Sequence, residues 1–461
     1  MLRKTLLGSV CLGLMMSAST AHAGTAQDLL KRLHDKGILS DAEYDELMKE
    51  DASEAAKPAP APAMQQADAA LDTSHMVRAT DSGIGLMVGP ATIKFSGSVN
   101  GFYVYDHPNS GSQAVAGGIV GPGTSTSAVR NGLLPGFLKV EASTTQGGWT
   151  VGAHFGMYPG INSTATGAFN ANNGGHPTGL STAGIDFRQT YLTIARPGFG
   201  ELKIGRDIGL FGSDAILNDM TLLSVGPTGG NAAPGNTSLG RIGTGYIYTD
   251  FQPQITYTTP SFSGLQASVG IFQPLDSITA PAQSNSSPGI QGKVSYDAKF
   301  DPVALHLWVS GLTQKHNSVA ANSYTGQGID MGAKASAGPI TVVGTYYTAK
   351  GLGTTILNLN DTDANGNARL SHGYYVQAMG TLGKFSLGAS YGASFLNYAN
   401  STDAAANPTL VRKNESTVVQ ARYGLNSWVT LIGEYINSKA VAQNGNKATD
   451  DALAVGGILF F

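Results

Sequence analysis

Charged side chains in this sequence recur at every second position of segments whose other positions are apolar, a spacing suited to lining a water-filled space. Leu138, Val140 and Ala142 alternate with Lys139 and Glu141. A strand here therefore puts the apolar set on one face and the charged pair on the other. The same parity sends Lys94, Lys293, Lys334 and Arg422 to the polar face. A charge turned toward a bilayer midplane instead costs roughly 2–4 kcal/mol for Arg or Lys, which gives that assignment its force. The chemistry implied is electrostatic: fixed charges around a hole decide which solutes shed water cheaply. Basic residues outnumber acids in the set, which predicts a mild preference for anions.

Nothing comparable points to catalysis. No nucleophile elbow is read at a strand-to-helix turn, and spacing alone assembles no triad, so the chain is not expected to be an enzyme. The only cysteine, Cys11, lies in the first 23 residues, so thiol chemistry and disulfides are excluded from residues 24–461. Nine scattered histidines form no zinc pattern. Asp361, Asp363 and Asn365, with Gly366, match the first half of a calcium loop, but position twelve is His372 where a bidentate Glu belongs. Asp/Asn/Gly clusters are also ordinary in loops. No cofactor is expected.

The elements that must position these charges are short alternating segments. Sixteen can be read, from about 91–105 through 137–144, 149–158 and 185–195 to 451–461. Trp149, Val151, Ala153, Phe155 and Met157 oppose Thr150, Gly152, His154 and Gly156, and Gln146-Gly147-Gly148 is a tight turn before them. The last segment sets Leu453, Val455, Gly457, Leu459 and Phe461 on one face. Long and short connections alternate, the longest running from Asp207 to about Gly240. An even count with short turns at one end and long loops at the other is the pattern of a transmembrane antiparallel β-barrel. A charged fraction of 13% and 61 glycines suit small, weakly charged lumen positions.

The chain divides into four regions. Residues 1–23 read as a signal peptide: Arg3 and Lys4, an apolar Leu6–Met16, and Ala21-His22-Ala23 as a cleavage site. Residues 24–51 read as two short helices, with Thr25/Asp28 and Ser40/Glu43 as capping pairs. Each is too short to persist alone in water. Their apolar stripes need a partner, either a coiled coil with other copies or a contact with the cell wall. Residues 52–73 are an Ala/Pro linker, and 74–461 form the barrel. Residues 24–73 hold 5 basic and 11 acidic side chains, whereas 74–461 hold 21 and 20. No basic patch suggests nucleic acid.

Phe187-Arg188-Gln189-Thr190-Tyr191-Leu192 through Gly198-Phe199-Gly200-Glu201-Leu202-Lys203-Ile204-Gly205-Arg206 resembles the trimeric Gram-negative outer-membrane porins. Tyr257-Thr258-Thr259-Pro260-Ser261-Phe262-Ser263-Gly264-Leu265 also resembles a porin turn. The helix-bearing extension further resembles DcaP-like porins, trimers associated with dicarboxylate uptake. A Pro-Glu-Phe-Gly-Gly turn of the long third loop is missing. The resemblance implies that the third loop folds into the lumen and that basic wall residues face acidic loop residues. Carried over, the basic set is Arg188 and Arg206, with Arg241 where the loop rejoins the barrel; Asp207, Asp214 and Asp219 would be the loop's acids. Parity fails for Arg188, whose mates include Leu192 and Ile194. The partners implied are outer-membrane lipid and lipopolysaccharide, two further copies in a homotrimer, small hydrophilic and anionic solutes, and peptidoglycan through the helices. The rival expectation is a barrel-anchored adhesin or cell-wall tether. A fatty-acid transporter would need an apolar lumen and a luminal plug ahead of the first strand.

Overall fold

The computed structural model describes residues 31, 44, 45, 49, 77–161, 187–227, 237–279 and 282–461. In the N-terminal unit, Met1–Leu71, the four described residues Lys31, Tyr44, Asp45 and Lys49 are helical. The leader, the remainder of the helical extension and the linker lie outside the described residues.

The second unit, Asp72–Phe461, is built of strands because its sequence alternates. In the last one Leu453 and Val455 are 53% and 63% exposed, while Ala452 and Ala454 between them are buried. The outward positions are thus apolar and the inward ones small or polar, as lipid and lumen faces demand. The described strands are β1 (Val77–Ala79), β2 (Ile84–Val88), β3 (Ala91–Pro108), β4 (Thr126–Arg130), β5 (Phe137–Gln146), β6 (Trp149–Met157), β7 (Gln189–Arg196), β8 (Gly200–Ile208), β9 (Phe251–Thr258) and β10 (Leu265–Phe272). They continue as β11 (Gly289–Phe300), β12 (Val303–His316), β13 (Tyr324–Ala337), β14 (Ile340–Lys350), β15 (Leu370–Leu382), β16 (Phe385–Leu396), β17 (Val411–Gly424), β18 (Val429–Ala442) and β19 (Lys447–Phe460).

Strand β3 and strands β5 to β19 form a closed antiparallel barrel of sixteen, each paired with the next. Closure joins β19 to β3 from Asp450↔Pro108 to Phe460↔Ser98, and Phe461 and Gly97 then exchange two backbone bonds of 3.0 Å. A closed barrel leaves no edge with unpaired backbone groups facing lipid. The Phe461 ring lies where Gly97 has no side chain; a Cβ there would stand 2.2 Å from it. Short turns gather at one end, such as Gly147-Gly148 with φ of 57° and 79°, which suits a tight hairpin reversal. Trp149, Phe199 and Tyr257 pack edge to face at that end, and Trp428 packs on Phe461.

Strands β1, β2 and β4 were not legible in the alternation. The first two form a hairpin whose Ile84–Val88 pairs with Phe95–Ala91, covering the edge of β3 below the point where the chain ends. Strand β4 pairs with Phe102–Asp106 on the other edge of β3. Several barrel strands also run three to six residues further than the apolar pattern at the long-loop end, because their tips there are polar on both faces.

Candidate functional site

The described residues 209–227 and 237–250 enter the barrel. They contain a short helix, Ser213–Leu217, and a 3₁₀ turn, Met220–Leu223, where the Asp219 carboxylate accepts from the Thr221 amide (2.9 Å) and hydroxyl (2.6 Å). The segment is held against the wall from β11 to β18. Gln291 accepts from the Leu210 and Phe211 amides at 2.8 and 3.0 Å. The Tyr375 hydroxyl donates to the Ala215 carbonyl (2.7 Å), and Gln377 bonds both the Asn218 carbonyl and the Met220 amide. Glu434, buried on β18, accepts from the Ser224 hydroxyl (2.6 Å), the Val225 and Gly226 amides (3.1 Å each) and the Gln420 amide (2.7 Å). Apolar packing reinforces the seam: Ile216, Ile242 and Tyr246 of the loop meet Trp308, Val343 and Tyr375 of the wall.

Between the free side of this loop and β5 to β8 remains a cavity of about 290 Å³. Lys139, Arg188 and Arg206 line its wall side, and Leu217, Leu222, Leu239 and Ile242 line its loop side. Arg188 stands over the Tyr158 and Phe251 rings at 5.3 and 5.9 Å. Its parity conflict has a simple cause: β7 begins one residue later, at Gln189, so Arg188 is outside the ladder. Beside the cavity, Lys203 bonds Asp207 at 2.5 Å and covers the Tyr191 ring. Tyr191 stacks on His154, whose Nδ1 lies 2.9 Å from Glu141, and Lys94 is the register partner of Glu141. Lys203 and His154 were not among the expected site residues, although His154 shares the inward parity of β6.

The acids fall elsewhere than expected. Asp207 belongs to wall strand β8, where Gln189 donates to it (2.8 Å) alongside Lys203. Asp214 lies on the loop but turns away from the cavity, to Lys293 (2.8 Å) and His306 (3.2 Å). Asp219 is buried, accepting from the Tyr246 hydroxyl as well as Thr221. Each carboxylate is held by protein donors; those of Asp207 and Asp214 are partly exposed and those of Asp219 are buried, where an unpaired group would cost about 1–3 kcal/mol. Arg241 is also a loop residue with no exposed surface, donating to the Ser416 hydroxyl (2.9 Å), and faces the seam. Arg422 donates to the Met220 carbonyl (2.6 Å) in that seam. Lys334 lines a separate recess with Asp214 and His306. The three basic residues of the cavity therefore face leucines and isoleucine across it, and the carboxylates that line it are Asp207 of the wall and Asp250 where the loop rejoins β9, not Asp214 or Asp219.

The calcium-loop residues do not converge. Asp361 takes bonds from Ser277 (2.7 Å) and Tyr324. Asp363 accepts from the Asn365 and Asn367 amides and from Asn400. Among the described residues no three His, Cys, Asp or Glu side chains are grouped to hold a metal ion. Nearby, Asp403 forms a buried pair with Arg369 at 2.6 Å that ties two long loops together. Burial by itself would raise the Asp403 carboxyl, but the bonds from Arg369, the Ala399 amide and Asn407 outweigh it and hold it below the usual carboxylate range.

Residues 59–435 match the family model described as Gram-negative porin. No curated protein sequence matches the chain. Among solved structures, the chain is similar to the outer-membrane channel DcaP of Acinetobacter baumannii, with 17% identity, 83% of this chain and 99% of that one covered, and a TM-score of 0.61. It is similar to OmpT of Vibrio cholerae at 13% identity, 82% and 100% coverage and a TM-score of 0.51. OmpF of Salmonella typhi, solved with daunomycin, gives 14%, 81% and 98%, and 0.50. At these identities the likeness is one of fold.

Proposed function

Because the chain belongs to the Gram-negative porin family, we propose that its barrel is a water-filled channel for passive diffusion of small hydrophilic solutes, with a preference for anions such as dicarboxylates. Membership of that family supports an outer-membrane location and the reading as a channel. The preference rests on one observation: Lys139, Arg188 and Arg206 line the cavity while Asp214 and Asp219 of the loop are turned into bonded contacts away from it. Three basic groups against the two carboxylates of Asp207 and Asp250 leave a net positive lining, which favours an anion over a cation. Lys94, Lys139 and Glu141 extend the charged wall, with Lys293, Lys334 and Arg422 marking the margins of the loop. Three copies associating, with residues 24–51, read from the sequence as two short helices, joining them or touching peptidoglycan in the periplasm, complete this reading.

The test is single-channel conductance of the refolded protein in a planar bilayer under a salt gradient. Conductance in steps of three with an anion-leaning reversal potential supports the reading, and added succinate should then slow chloride current. A cation-leaning reversal potential overturns the selectivity. Silence from correctly folded protein leaves the barrel as an anchor and favours the tether.

A further inference from the structure

The cavity between the inserted loop and β5 to β8 has two unlike faces. On the loop face, Ala215 and Ile216 of the helix Ser213–Leu217 are buried in the seam, and Asp214 turns to Lys293. Leu217 is thereby left on the open side, 54% exposed. Leu222 and Leu239, half-buried, continue that face. A loop bordering only water gains nothing from leucines there, since apolar surface left in water forgoes its burial free energy. On the wall face three bases stand against two carboxylates, one positive charge in excess. The acids are engaged: Lys203 and Gln189 donate to Asp207, and the Phe251 amide donates to Asp250 (2.7 Å). Lys139 stands 5.1 Å from the centre of the Phe137 ring, and among the described residues it has no ion pair.

We propose that this cavity holds a linear monocarboxylate, a medium-length alkanoate, with its carboxylate at Lys139 and its methylenes along Leu217, Leu222 and Leu239. The inference rests on the reading of the barrel as an anion-preferring channel and names the class of anion. One ammonium without a carboxylate partner matches one carboxylate, while the leucines reward each methylene by the apolar area it covers. A dicarboxylate of the same length would set its second charge against apolar side chains, where losing water is costly. An inorganic anion satisfies Lys139 and leaves the leucines wet. The alkanoate alone uses both faces.

Single-channel records of the whole refolded protein test it, with acetate, butanoate, hexanoate or succinate added at equal concentration and neutral pH. Each methylene covered should lengthen the block by up to about fourfold, so hexanoate should be held roughly tenfold or more longer than acetate. It should also outlast succinate. The Leu217→Asn/Leu239→Asn double variant should cut the hexanoate-to-acetate ratio severalfold, whereas Lys139→Gln should shorten the block by every monocarboxylate and leave that ratio. The chain-length series on the parental protein needs no variant to fold. Equal blocks by acetate and hexanoate, a longer block by succinate, or a ratio unmoved by the double leucine variant overturns the proposal. An anion-leaning channel indifferent to chain length overturns it and leaves the channel reading intact. A silent or cation-leaning channel overturns that reading and this inference with it.

Discussion

Two sides of the same lumen are built from the same inward alternation and end in opposite states. From β11 to β18, inward Gln291, Gln377, Gln420 and Glu434 are consumed in bonds to the backbone and hydroxyls of the inserted loop. On the other side, Lys139, Arg188 and Arg206 border a cavity. The wall charges on the two sides look alike in the sequence. What separates them is coverage: a polar group under the loop must find a protein partner, because leaving it buried and unpaired costs about 1–3 kcal/mol. A group on the open side borders space that a solute can enter. Asp214 and Asp219 follow the same rule and serve as anchors, while Asp207 and Asp250 border the cavity beside the basic residues.

Replacing Arg188 and Arg206 together with Glu should have the largest effect. At ~8 Å and an effective dielectric near 20, each charge acts on a permeating ion with roughly 2 kcal/mol before salt screening. The reversal potential should change sign from anion- to cation-leaning; an unchanged sign would mean that the open side does not set selectivity. Glu434→Ala attacks the packed side. It leaves the Ser224, Val225, Gly226 and Gln420 donors without their acceptor, a loss of about 3 kcal/mol or more for a buried charged acceptor. Single-channel records should then flicker between levels, and a quiet trace at parental conductance would show that the loop is not held there.

Arg369→Ala, above the packed side, should cost about 3 kcal/mol locally by stranding the buried Asp403. The long loops should become protease-sensitive while conductance persists. Since the Asp403 carboxyl is held below its usual value, its contribution is present above the ordinary carboxylate pKa of about 4. It is lost as pH falls through the lower folded value. Parental loops should therefore be protected at neutral pH and become labile only in stronger acid; protection unchanged in Arg369→Ala would remove the pair from the account. The smallest effect is expected from Asp214→Asn, which alters an ion pair facing away from the cavity. Reversal potential should move by much less than in the Arg188/Arg206 variant, and an equal shift would dissolve the distinction between the two sides.

Much of the barrel was legible in the order of residue types. Lipid imposes a period of two on every wall strand, so Trp149–Met157 and Phe385–Leu396 announce themselves by side-chain type alone. The β1–β2 hairpin was not, because Val77–Ala79 is too short to carry a period. Nor was the Lys203–Asp207 bond, which joins residues of a strand already assigned to the wall. For the charged residues, parity indicated which face Lys139, Lys293 and Arg422 occupy and no more. Whether an inward charge borders open space, as Lys139 does, or meets a loop carbonyl, as Arg422 does, depends on where the described loop residues 209–227 and 237–250 lie. That path depends on contacts between residues as far apart as Ser224 and Glu434. The sequence by itself determined the barrel, its strand order and the inward set of charges, because those follow from a local two-residue period against lipid. Only the tertiary structure decided which charges border open space, since burial under a distant segment is not a local property.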